Sequence, residues 1–235
     1  MKERKIDEVL AQAAQDTPRV SPALLESIAA SIKPSMLPVR PMPPAWLLTA
    51  GLTLIAVAVA LAGAAHAGFY GIERLTVFEC ILIFPALVLL LWASAAEFAA
   101  SMVPGSRRRM HPGVLLAISC LALMGVFSGV FRDYHNTHFV SAGIACLVAG
   151  LAHAIPVALL SWLLLRRGFA VNPVAAGAIA GTLAGLAGVT MLELHCPNFQ
   201  LLHVLVWHTA VVPAAGATGA LIAWALQIRS AFRDR

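Results

Sequence analysis

NPVAAGAIAGTLAGLAGVTMLELHCPNFQLLHVLVWH runs from Asn172 to His208. No charged side chain occurs between Asn172 and Leu192, and roughly 20 apolar residues suffice to cross a bilayer as a helix. The run is rich in glycine, and Gly177, Gly181 and Gly185 repeat every fourth residue. It then changes character. Glu193, His195, Cys196, His203 and His208 follow in quick succession before a second apolar run is under way. Ionisable side chains at membrane depth are expensive, so this junction is the first candidate for function.

The rest of the chain agrees with a membrane reading. It is 60% hydrophobic and 11% charged, against about 25% charged for soluble domains. Six stretches are long and apolar enough to span: 45–66, 76–98, 113–131, 139–165, 172–193 and 202–227. Transmembrane strands would instead alternate in segments of about ten residues. The expected fold is therefore all-α, a six-helix transmembrane bundle with short loops and a short N-terminal helical arm. The expected division is an arm with its linker over 1–43, a membrane domain over 44–228 and a basic tail over 229–235.

Charge sets the expected orientation. With residue 1 inside, fourteen of the sixteen Lys and Arg fall on the cytoplasmic side, and only Arg74 and Arg132 fall outside. The positive-inside rule then places both termini in the cytoplasm. The first apolar run follows a long polar lead and is too long for a signal-peptide core. The basic residues are scattered over separate membrane edges, which argues against direct nucleic-acid binding.

Residues 1–43 predict two amphipathic helices. The first carries Ile6, Val9, Leu10 and Ala13 on one face. The second opens at Ser21-Pro22, a cap followed by proline at the first helical position, and carries Leu24, Leu25, Ile28, Ala29 and Ile32. Prolines 34, 38, 41, 43 and 44 then make a semi-rigid linker. Two short helices cannot enclose a core, so their stripes are read as docking a partner protein in a groove. The plainer alternative is rest on lipid or on the bundle's own loops, although the arm's near charge balance disfavours lipid.

By depth, Cys80, Cys146, His195, Cys196, His203 and His208 all fall in the outer half, and Cys120 lies towards the inside. Thiolate and imidazole together suit zinc, copper or nickel rather than calcium or magnesium, and a thiol on the oxidising side suits redox sensing. No CxxC or HExxH spacing is present. His203 and His208, five apart, point about 140° apart on an ideal helix, so a shared site needs a helix distortion or ligands from other spans. The plainer reading is hydrogen bonding that locks the bundle. Glu79, Glu97 and Glu193 lie at span ends, where solvent or headgroups satisfy them, and no motif joins them into an enzyme site. The glycine repeat predicts close packing inside the bundle, with pairing of two chains as the second reading. Pro85 and Pro156 are expected to kink their helices. Tyr70 and Trp207 are read as ordinary packing or interfacial aromatics.

Several features now line up in order. They are Leu37-Pro38-Val39-Arg40-Pro41-Met42-Pro43, then Cys146-Leu147-Val148-Ala149-Gly150-Leu151 with Ala154-Ile155-Pro156, then Leu165-Arg166-Arg167-Gly168. The glycine-rich span, His195-Cys196-Pro197-Asn198 and His203-Val204-Leu205-Val206-Trp207-His208 come after these. Together they resemble the NrsF family, the negative regulators of sigma factor F, which are anti-sigma factors of the bacterial inner membrane. The specific motifs concentrate in 146–208, and the arm matches only in kind. The resemblance implies an extracytoplasmic-function sigma factor held by the cytoplasmic arm and released on metal or oxidative stress. It aligns Cys146 and Cys196 with the family's cysteines and leaves Cys80 and Cys120 without counterparts.

The sequence thus reads as a membrane anti-sigma factor rather than an enzyme. Ile6, Val9, Leu10, Leu24, Leu25, Ile28 and Ile32 are the expected partner-binding residues, and Cys146, His195, Cys196, His203 and His208 the expected sensing or metal residues. No cofactor is required, and a zinc or copper ion is a candidate signal. The Cys196–Cys146 pair could alternatively close as a disulfide, given Cα atoms within about 7 Å. The rival class is a small-solute or metal transporter with a regulatory tail.

Overall fold

The computed structural model describes residues 21–32, 43–102, 110–135, 138–166, 170 and 172–233, excepting the side chains of Ile32 and of 228–233. The expected first amphipathic stripe, Ile6, Val9 and Leu10, lies outside the described residues. The chain divides into two compact units, Met1–Met42 and Pro43–Arg235.

In the first unit, helix α1 spans Pro22–Ile32. Ser21 caps it, its Oγ accepting from the Leu24 backbone N–H at 3.2 Å. Leu24, Leu25 and Ile28 are all exposed.

The second unit is a bundle of helices. They are α2 (Ala45–Ala67), α3 (Val77–Met102), α4 (Pro112–Val130), α5 (Phe139–Leu165), α6 (Pro173–His195) and α7. Helix α7 opens over Leu201–His203, passes through a π-helical turn at Val204–His208 and continues as Thr209–Arg233. Among the described residues there is no strand. Six helices are long and apolar enough to cross a membrane. Their ends fall within a few residues of the expected runs, because apolar run length alone decides where a span starts and stops.

Caps and backbone geometry explain several termini. Asn172 accepts from the Ala175 N–H at 3.0 Å, with Pro173 opening α6. The His111 ring nitrogen accepts from Gly113 N–H at 3.2 Å ahead of Pro112. Gly68 ends α2 at φ 105°, a conformation that disfavours any side chain. Several hydroxyls inside the helices return to their own backbone, as Thr53 to Thr49 O and Thr190 to Leu186 O.

The bundle is built around α6. Its most apolar 18-residue window is 89% buried, against 22–39% for the other five spans. It is also among the less hydrophobic, with mean hydropathy 1.7 against 2.1–2.3 for α2 to α5. Small side chains explain both facts. Without lipid exposure the helix gains little from bulk, and glycine lets neighbouring backbones approach. A Cβ at Gly181 would overlap the Ala215 carbonyl of α7, and one at Gly188 would overlap the Gly150 carbonyl of α5. The glycine stripe is therefore occupied within the chain, as the first of its two readings anticipates. The outer helices turn Leu54, Leu89, Leu121 and Leu221 outward.

Two expectations about carboxylates need correction. Glu193 and Glu97 are not satisfied by solvent at span ends, since they are 0% and 3% exposed. Glu97 accepts from the Met110 backbone N–H at 3.4 Å. Glu193 is held inside the bundle by a histidine of α7.

Candidate functional site

The connections 68–76 and 196–200 and residues 131–135 lie at one end of the bundle, opposite the end where α2 begins. The Cys196–Gln200 connection is pinned there by several contacts. Gly71 N–H donates to Leu194 O at 3.1 Å, the Arg74 guanidinium to Pro197 O at 3.2 Å, and Leu201 N–H to Asp133 O at 2.6 Å. Phe199 stacks on Phe131 with centroids 5.0 Å apart and planes within 8°. Beside it, the exposed Asp133 carboxyl is held below the usual carboxylate range by the His135 backbone N–H and ring.

Beneath this connection four side chains converge. Cys146 comes from α5, Cys196 caps α6, and His203 and His208 come from α7. Each offers one ligand atom, and the four atoms lie within 4.8 Å of one another. The sulfurs of Cys146 and Cys196 are 3.4 Å apart, and Cys196 Sγ is 3.8 Å from His203 Nε2. Cys196, His203 and His208 are buried, while Cys146 is only partly so.

The π turn makes the pairing of His203 and His208 possible. Its hydrogen bonds run from residue i to i+5, so a side chain five places along returns to nearly the same face. The two rings meet edge to face, centroids 5.3 Å apart. Both conditions raised by the five-residue spacing, a distorted helix and ligands from other spans, are met together. Trp207, within the turn, lies against Gly143 of α5, where a Cβ would collide with the indole. That contact registers α7 against the turn of α5 that precedes Cys146.

Glu193 completes the arrangement. One carboxylate oxygen is 2.6 Å from His208 Nδ1, and both side chains are fully buried. His195, expected among the sensing residues, is placed elsewhere. Its Nδ1 is 2.9 Å from Gly68 O, and its ring lies against Tyr70. Cys80 and Cys120 also stand apart from the cluster.

Simple distances show what the cluster can do. Ligand atoms about 2.0–2.3 Å from a tetrahedral zinc-like ion lie about 3.3–3.8 Å from one another. The separations of 3.4 and 3.8 Å already fall in that range, and since all four atoms lie within 4.8 Å of one another, no pair needs to close by more than about 1 Å. A disulfide, at about 2.05 Å, requires the two sulfurs to approach by about 1.4 Å from their 3.4 Å separation. Both chemistries are within reach of small motions, and the metal geometry needs less movement of the thiols.

Fold and site define a class: a bundle of six candidate membrane spans with a largely buried cluster of two thiols and two imidazoles at one end. Residues 34–227 match the model of the NrsF family, negative regulator of sigma F, and the chain belongs to that family. No curated protein and no solved structure matches the chain.

Proposed function

We propose that this negative regulator is an inner-membrane anti-sigma factor whose N-terminal arm holds an extracytoplasmic-function sigma factor, and whose Cys146, Cys196, His203 and His208 cluster receives an envelope metal or redox signal. The family match over 34–227 carries the reading, since a negative regulator of a sigma factor needs a sigma factor as partner. Helix α1 supports the role of the arm. Its Leu24, Leu25 and Ile28 are exposed, and apolar residues at this spacing are what a groove-docking helix presents. The basic asymmetry of the loops supports cytoplasmic termini, which put the arm on the same side as the sigma factor and the cluster on the side facing the envelope.

In this mechanism the arm masks the sigma factor from RNA polymerase. An ion or oxidant at the cluster shifts α5 against α6 and α7, and the proline-rich linker passes the shift to the arm. The regulator acts by holding and releasing protein, and no catalytic step is required of it.

The test is co-purification of the sigma factor with the full chain, with a chain lacking residues 1–43, and with Leu24→Asp/Leu25→Asp. Loss of the sigma factor from both altered chains is expected, because burying an unpaired carboxylate in an apolar groove costs several kcal/mol. Retention by the double variant would falsify groove docking through α1.

A further inference from the structure

The role of Glu193 is what the cluster leaves unexplained. A fully buried carboxylate one turn from the end of an apolar helix is costly unless paired and hydrogen-bonded, and a purely structural histidine does not need one. The geometry at His208 gives it a purpose. A carboxylate oxygen only accepts, so the 2.6 Å contact places a proton on His208 Nδ1. In the neutral ring this leaves the lone pair on Nε2. His208 Nε2 is buried and makes no hydrogen bond, although the ring belongs to a group whose ligand atoms lie within 4.8 Å of one another. A carboxylate behind an imidazole that belongs to a group of thiol and imidazole ligand atoms is the support that metal-binding histidines ordinarily have.

We infer that Glu193 is the positioning group of a divalent-metal site formed by Cys146, Cys196, His203 and His208. This rests on the metal-sensing reading of the cluster and narrows it. Charge selects the ion. Two thiolates and two neutral imidazoles bring a divalent centre to zero net charge. A monovalent ion such as copper(I) or silver leaves the centre negative, next to the negative charge of Glu193 and away from water. The carboxylate therefore favours zinc-like ions over monovalent ones while fixing which nitrogen of His208 is offered.

The experiment uses the full chain in detergent, with Cys80→Ser and Cys120→Ala so that the cluster supplies the only thiols. Cobalt(II) is the divalent probe, read by its thiolate-to-metal charge-transfer absorption, and silver(I) the monovalent probe, read by competition with cobalt. Glu193→Gln keeps the shape and removes the charge. It is expected to weaken cobalt binding 10–100-fold, as loss of such outer partners does, while silver binding holds or tightens. A parallel loss of both ions would mark a merely structural role and overturn the inference, as would unchanged cobalt affinity. Glu193→Asp carries the test if the glutamine variant does not fold. It should bind cobalt more weakly yet keep the divalent preference, and parental cobalt affinity in it would overturn the inference. Absence of any cobalt spectrum in the parent would overturn the metal reading itself, and this inference with it, an outcome distinct from parental binding that survives Glu193→Gln.

Discussion

Substituting Gly188 by alanine tests whether helix packing sets the sulfur separation. Gly188 faces the Gly150 carbonyl, and a Cβ there would overlap it and touch Val211 of α7. Restoring ordinary van der Waals separation requires α5 to withdraw by roughly 1 Å. Gly150 lies one turn beyond Cys146 on α5, so the thiol moves with it. The sulfurs would then separate from 3.4 Å to about 4.4 Å, and the approach needed for a disulfide would grow from about 1.4 to about 2.4 Å. Overpacking of this kind costs about 1–3 kcal/mol in stability. The assay is the rate of Cys146–Cys196 cross-linking by a mild thiol oxidant in membranes, in a background without Cys80 and Cys120, alongside thermal unfolding in detergent. The variant should cross-link several-fold more slowly and unfold earlier. Parental cross-linking together with parental stability would refute the claim that contact between α5 and α6 fixes the distance between the thiols.

Two further outcomes are expected. Cys196→Ser should lock the regulator in one signalling state, uninducible or constitutive, while His66→Ala, which lies outside the cluster, keeps normal induction; a reporter driven by the sigma factor reads both, and normal induction of Cys196→Ser removes its sensing role. Topology reporters fused after Arg109 and after Arg235 should report cytoplasm, and one at His135 the opposite side; an external signal from the C-terminal fusion would contradict an even number of spans.

The sequence exposed the bundle more completely than the site. Span limits derive from unbroken apolar length, a local property, so each run from 45 onward meets a helix close to its expected ends. Cys146, Cys196, His203 and His208 are legible by type and depth, because few side chains of that chemistry are tolerated in an apolar run. Their convergence is not legible, since it depends on how α5, α6 and α7 pack. Glu193 escapes for the same reason. Its place near a helix end suggests solvent, whereas it is fully buried against His208 of α7. The signal that could have found it is its position two residues before His195-Cys196, inside the densest run of ligand-type residues in the chain. His195 shows the converse. Its type and position match the cluster, but the turn after α2 presents the Gly68 carbonyl to it first.

The π turn at Val204–His208 also governs the remainder of α7. One residue of α-helix corresponds to about 100° of rotation, so an added residue turns every later side chain of α7 by that angle relative to an uninterrupted helix. Ala215, Gly216 and Gly219 meet the glycine stripe of α6 two to three turns further on, with that angle already built in. The imidazole pair and the smooth helix–helix seam thus share one angular setting. Relaxing the turn to regular α-helix would part His203 from His208 and, in the same movement, rotate the seam out of register. Whatever stabilises or releases that single turn acts at once on chemistry near one end of the helix and on packing along its length.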